Sequence, residues 1–191
     1  MIDGINVTKM PRHKRAALIA SVFQDPNMGV CEELTVAENM AIAYSRGKRR
    51  GLAIAVTKRH LDIFSNKLES FGRGLEHRLN QKVNLLSGGQ RQVVTLMMAT
   101  LHRPKLLLLD EHTSALDPPI SGQVMEVTNE IVTSLGITTI MITHSLPDAI
   151  KYGNRLLLFG EGQSVMDVMD EEKTAMSVAS LASKFDSTTT A

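Results

Sequence analysis

Residues 86–117 read LSGGQRQVVTLMMATLHRPKLLLLDEHTSALD. Ser87 ahead of two glycines marks a helix start. Serine is a strong N-cap, glycines let a phosphate approach the backbone, and the first turn leaves N–H groups unsatisfied. QRQVVTLMMATLH continues as a long amphipathic helix that Pro104 stops. KLLLLD is then a buried strand ending in a carboxylate, Asp110, with Glu111 beside it. This helix, the strand that follows it and the two carboxylates at its end decide the fold class.

Working outward, the same alternation recurs. A helix is expected from about Ile120 to Leu135, with Gly136 as its C-cap. ITTIMIT is a β-branched strand, and His144 follows it directly. LPDAIKYG is a short helix, NRLLLF a further strand, and Asp170 is placed to cap a last helix reaching about Lys184. Upstream, Ile2, Ile5 and Val7 flank an Asp-Gly turn, and Pro11 to Ala17 reads as a short helix. Leu18 to Phe23 is a β-compatible run, followed by the loop chemistry of QDPNMG. Thr35 and Glu38 form a capping box, and Leu61, Phe64 and Leu68 recur at helical spacing within Thr57 to Phe71. Residues 30–85 lack a strand rhythm and read as a helical insertion. Apolar strands alternating with helices predict an α/β fold, a mostly parallel sheet covered by helices. In such folds ligands sit beyond the carboxyl ends of the strands. The residues to inspect are therefore Gln24, Asp110, Glu111 and His144.

Composition narrows the function classes. Among 191 residues, 43% are hydrophobic and 21% charged, which excludes wholesale disorder. Net charge is +1, so bulk basicity does not argue for nucleic acid. Tryptophan is absent and aromatics are 4%, which argues against stacking platforms for single strands. The single cysteine, Cys31, excludes an internal disulfide framework and is read as an inert thiol. No apolar run is long enough to span a bilayer.

Each polar candidate has a bland reading when taken alone. Asp110 and Glu111 can divide labour, one holding hydrated Mg²⁺ and the other orienting a water, or they can cap a turn and face solvent. Ser87-Gly88-Gly89 can cradle a phosphate or simply cap a helix. His144 can donate to a phosphate oxygen or hold structure. Gln24 can ligate a metal or be an ordinary loop residue.

Together, and in this order, VFQDP, LSGGQRQ, LLLLDEHTSALD and ITHS resemble the nucleotide-binding domain of ABC-type ATPases. The resemblance implies a P-loop NTPase-like three-layer core with a helical subdomain, here spanning about residues 30–100. Residues 1–184 would form a partial ABC domain and 185–191 a flexible tail. It implies that Leu86–Gln90 match the signature motif, whose Ser87, Gly88, Gly89 and Gln90 would meet the nucleotide of a partner subunit in trans. Asp110 closes the Walker B strand and would hold Mg²⁺ through water. Glu111 would polarise the attacking water, His144 would contact the γ-phosphate, and Gln24 would serve both metal and water. Asp117 of the D-loop would face the dimer seam. The implied cofactors are ATP and Mg²⁺. The implied partners are a second nucleotide-binding subunit in a head-to-tail dimer, transmembrane permease subunits and a substrate-binding protein. The implied location is peripheral, on the cytoplasmic face of the cell membrane.

One family element does not occur in the 191 residues. G-x-x-x-x-G-K-[ST] is not found; the only Gly-Lys pair, Gly47-Lys48, lacks the first glycine and the hydroxyl residue. The chain accordingly reads as an ABC domain lacking its N-terminal part, with little hydrolysis expected from it alone, apolar surface exposed and marginal stability. Leu34-Thr35-Val36-x-Glu38-Asn39 resembles transporter subunits, and small-solute import is the expected role. Alternatives are a non-hydrolysing partner of an intact subunit and a soluble ABC ATPase. The basic run Arg46, Lys48, Arg49 and Arg50 reads as a solvated loop, with contact to anionic headgroups or a permease as the sharper reading. His112 stands where the family usually has proline. It reads either as the mark of a branch resembling proposed amino-acid importers or as a tolerated surface variant. Met97 and Met98 read as core packing.

Overall fold

The computed structural model describes residues 1–46, 56–71 and 74–189, in two compact units, Met1–Ile142 and Thr143–Ala191. Lys48, Arg49 and Arg50 of the basic run lie outside the described residues.

In the first unit the elements are α1 (Arg12–Arg15), β1 (Ile19–Val22), α2 (Val36–Tyr44), α3 (Lys58–Phe71), α4 (Gly88–Thr100), β2 (Leu106–Asp110), α5 (Pro118–Leu135) and β3 (Thr138–Ile142). The strands form one sheet in the order β1-β2-β3, and both pairings are parallel. Parallel neighbours need crossovers, and the helices between the strands supply them. Ala20, Val22, Leu107 and Leu109 share one sheet face and are buried with Val94, Leu96, Met97, Val124 and Ile131 of α4 and α5. That face is the core, and Met97 belongs to it as expected. On the opposite face Ile140 and Ile142 are exposed.

Local chemistry sets the element ends. The Glu38 amide donates to Thr35 Oγ1 at 3.2 Å and the Thr35 amide to Glu38 Oε2 at 2.8 Å, closing the capping box of α2. Gly136 sits at φ 56° and ends α5, a conformation that costs glycine little. α5 begins at Pro118, two residues earlier than expected, because proline is well suited to a first helical turn. The N-terminal Asp3-Gly4 turn closes a single bridge between Ile2 and Ile5 rather than a full strand.

The second unit holds α6 (Leu146–Lys151), β4 (Arg155–Gly160), β5 (Gln163–Met169), α7 (Asp170–Thr174) and α8 (Val178–Thr189). Here the structure departs from expectation. β4 pairs antiparallel with β5, a strand the sequence reading missed, so parallel pairing stops at β3. Glu161 and Gly162 both have positive φ, the conformation of a tight hairpin turn. The last helix is two helices. Asp170 makes no side-chain cap, and Ser177 restarts the helix by accepting from the Ser180 amide at 3.1 Å. α8 also runs past Lys184 into residues read as a loose tail. Leu156, Leu158, Met166, Val168 and Leu181 form this unit's own core.

Candidate active site

The parallel register brings three of the expected residues to one edge. Val22 pairs with Leu109 and Asp110 with Ile142, so β1, β2 and β3 end together. Gln24 follows β1 by two residues and is exposed; Asp110 ends β2 and is exposed; Glu111 comes next. Glu111 has φ 44°, a left-handed conformation uncommon for a residue with a side chain. Its backbone is held on both sides. The Glu111 amide donates to Ile142 O at 3.0 Å, and its carbonyl accepts from the Ser114 amide at 3.0 Å and the Ser114 hydroxyl at 2.8 Å. The turn thus fixes the backbone from which the carboxylate projects.

The second group lies where α4 and α5 begin. Ser87 caps α4, accepting from the Gln90 amide at 3.4 Å, while the Ser87 amide donates to Gln90 Oε1 at 3.1 Å. Gln90 therefore completes a capping box, and Ser87 remains exposed at the helix N-terminus. Gly88 lies under Leu116, and a Cβ there would meet Leu116 Cδ2 at 3.2 Å. Gly89 is buried against Ile120, with no room for a Cβ. These glycines serve close helix packing. Asp117 stands at the N-cap position of α5 but makes no capping bond, and it is exposed. His144 belongs to the second unit, two residues beyond β3, and is exposed.

The loop carrying Gln24 is fastened to α4 by residues that sequence reasoning passed over. The buried Gln92 donates from Nε2 to Phe23 O at 3.2 Å, one residue before Gln24. Arg91 donates to Asn27 Oδ1 at 2.9 Å, and a Cβ on Gly29 would meet the Thr95 side chain at 2.5 Å. Asn39, 1% exposed, accepts from the Cys31 amide at 2.7 Å and donates to Cys31 O and Thr35 O, both at 3.0 Å. The available signal was periodicity: Gln92 lies four residues before Leu96 and seven before Ala99, a polar side chain on an apolar stripe. The capping bonds from the Thr35 amide and hydroxyl hold the Glu38 carboxyl below its ordinary range.

The profile of the ABC transporter family matches residues 1–114, and a tyrosine transport ATP-binding protein from Clostridioides difficile is 41% identical over 185 residues. The chain belongs to the ABC transporter family. That alignment covers 97% of this ABC chain and 73% of the relative. A spermidine/putrescine import ATP-binding protein PotA from Haemophilus influenzae is 32% identical over 168 residues, 87% of this chain. The chain spans 42% of that relative's length. Among solved structures, cbiO1 from Clostridium perfringens, part of the ABC transporter complex cbiONQ, matches with TM-score 0.71 at 25% identity, over 91% of this chain and 64% of that one. A dimeric post-hydrolysis state of an ATP-binding cassette bound to ADP and Pi matches with TM-score 0.70 at 26% identity, over 88% and 71%. The ABC ATPase fold and the family's ATP-binding character are thereby shown, and no described helix is long and apolar enough to cross a membrane.

His112 needs a correction. It is 2% exposed, so it is no surface variant. Its Nε2 lies 3.1 Å from Thr128 Oγ1 on α5, which packs it beneath the turn that carries Glu111.

Proposed function

We propose that this chain is the ATP-hydrolysing subunit of an ABC importer for a small solute, acting in a head-to-tail pair. The observation that carries this reading is the shared edge of the parallel sheet, where Gln24, Asp110 and Glu111 follow strands that end in register. A carboxylate projecting from a backbone fixed at this strand end can orient a water for in-line attack on a phosphoryl group. Positioning and charge stabilisation then do most of the catalytic work.

Asp110 is the Mg²⁺ residue in this reading. Among the described residues no cluster of three or more His, Cys, Asp or Glu could hold a metal by itself. One exposed carboxylate fits an ion that keeps most of its waters and takes its other ligands from phosphates. Such an ion would neutralise charge on the transferring group. In this reading Gln24 would serve the metal and the water, and His144 would donate to the γ-phosphate. Ser87 and the first-turn amides of α4 form the surface offered to the partner's nucleotide, with Asp117 at the seam. The membrane-facing partner is a permease, reached from the cytoplasmic side, and a substrate-binding protein delivers the solute. The 41% identity to a tyrosine transport subunit supports an amino-acid-class cargo.

The assembled ATPase tests this. Glu111→Gln should lower hydrolysis at least about a hundredfold while nucleotide still binds. Hydrolysis at the unmutated rate would overturn the assignment. A second role would rest on Ser87, exposed at the start of α4. If this chain alone is inactive yet raises the turnover of an intact partner, and Ser87→Arg abolishes that effect, it acts by completing the partner's site.

A further inference from the structure

His112 follows Glu111 directly, and the structure gives it a specific set of contacts. The ring is buried, 2% exposed, one residue after the strained Glu111. Thr128 Oγ1 lies 3.1 Å from His112 Nε2 and 2.7 Å from Val124 O. A threonine hydroxyl has one proton, and a carbonyl can only accept. The shorter contact takes that proton, so toward His112 the hydroxyl is the acceptor. Nε2 must therefore carry hydrogen, which fixes the tautomer of a neutral ring.

The bond spans two elements with different duties. His112 leaves β2 directly behind Asp110 and Glu111, while Thr128 sits three turns into α5, the helix that starts at Pro118. Glu111 is already tied to β3 through its amide and to Ser114 through its carbonyl. The imidazole adds a third tie, from the residue after Glu111 to the D-loop helix. His112 restrains this turn through a buried side-chain bond, which also links it to α5.

We propose that His112 is a positioning residue: its Nε2–H···Oγ1 bond to Thr128 locks the Glu111 turn onto α5 and holds the carboxylate where it orients water. This rests on the reading of Glu111 given above. Three measurements test it. In ¹⁵N-histidine-labelled protein, His112 should be the Nε2–H tautomer, and Thr128→Val should perturb its ring shifts; an Nδ1–H tautomer overturns the proposal. In the assembled ATPase, His112→Phe and Thr128→Val should each lower kcat about tenfold, with KM for ATP changed less than about twofold. His112→Gln, whose amide nitrogen can replace Nε2, should recover most of the rate, and the double variant should be no worse than the poorer single one. Additive losses, an unchanged kcat or a failed glutamine rescue overturns it. If His112→Phe does not fold, Thr128→Val and the tautomer decide. Glu111→Gln separates the two claims: retained hydrolysis refutes the parent reading, whereas lost hydrolysis with fully active Thr128→Val refutes the clamp alone.

Discussion

Two glycines in neighbouring helices should respond to the same substitution with opposite signs. Gly89 lies in the first turn of α4, where an added Cβ would collide with Ile120 Cγ2 and sit 3.8 Å from Val124 Cγ2. Gly122 lies in α5, where an added Cβ would meet nothing within 4 Å. In both helices alanine reduces the freedom lost on folding, a gain of about 0.5–1 kcal/mol. At Gly122 that gain stands alone. At Gly89 it is opposed by overpacking of about 1–3 kcal/mol, because Ile120 is on the facing helix and cannot rotate away freely. The net expectation is stabilisation of about 1 kcal/mol for Gly122→Ala and a loss of about 1 kcal/mol for Gly89→Ala. For a unit of this size each corresponds to roughly 2–4 °C in Tm.

Thermal and urea unfolding followed by circular dichroism provide the assay. Gly89→Ala should unfold earlier than the parent and Gly122→Ala later, with the urea slope unchanged in both. Combining Gly89→Ala with Ile120→Ala should recover the clash cost, giving a coupling between neighbouring sites of about 1 kcal/mol or more. If Gly89→Ala raises Tm as Gly122→Ala does, the close approach of α4 and α5 is wrong. The placement of Ser87 beside the start of α5 would fall with it.

Three further outcomes follow from other parts of the molecule. Lys173 is 3% exposed, and its ammonium donates to the carbonyls of Ile150, Tyr152 and Gly153. Burial alone pushes its pKa down, so these acceptors are what keep the charge tolerable. Lys173→Met should cost about 1–3 kcal/mol and speed amide exchange in residues 150–153, whereas unaltered exchange would refute the role. Glu38, bonded by Thr35, and Asp167, bonded by Arg155, are both held below the ordinary carboxylate range. Each group's folded pKa is below its unfolded one. Its contribution is therefore complete above the unfolded value, near pH 4, and lost as pH falls through the folded value. Acid titration should loosen the start of α2 and the β4–β5 hairpin only below about pH 4, as read by residue-resolved exchange; loosening already at pH 6 would be the wrong sign. Finally, Ile140 and Ile142 are 53% and 57% exposed on β3, an edge strand among the described residues. Replacing both with threonine should reduce self-association in light scattering without lowering Tm, because threonine keeps strand propensity while removing apolar surface.

What was legible in the sequence was mostly local. The Thr35 capping box, the Gly136 stop and the strand LLLLD depend on spacings of a few residues, and all three appear in the structure. The order of motifs then supplied the long-range fold. The β4–β5 hairpin was missed because β5, QSVMDVM, alternates apolar and polar residues weakly. Yet Gly160-Glu161-Gly162 carried a turn signal that could have found it. The burial of His112 was not legible at all. It depends on α5 folding back over β2, and Thr128 lies 16 residues away with nothing in the spacing to mark it. The direction of an added Cβ at Gly88 or Gly89 was hidden for the same reason. Glycines next to a serine suggest room for phosphate, and the structure adds that they also give room to Leu116 and Ile120.

The packing of α4 implies a constraint on how the proposed site can work. Its first turn offers Ser87 to a partner and carries the glycines that admit Leu116 and Ile120. One turn later Arg91, Gln92 and Thr95 grip the loop from Phe23 to Gly29. Gln92 is buried, and its Oε1 has no hydrogen-bond partner among the described residues, so the side chain is retained at a cost of desolvation. A purely structural core position would favour leucine there. The retained amide is accounted for by its bond to Phe23 O, which fixes the backbone one residue before Gln24. In the proposed dimer, a nucleotide held by the partner would meet Ser87, on the same helix that fastens the loop carrying Gln24. Gln24 cannot move far relative to the signature surface without breaking those bonds. α4 thus carries Ser87 and fastens the Gln24 loop, while the Glu111 turn is tied separately through β3 and α5.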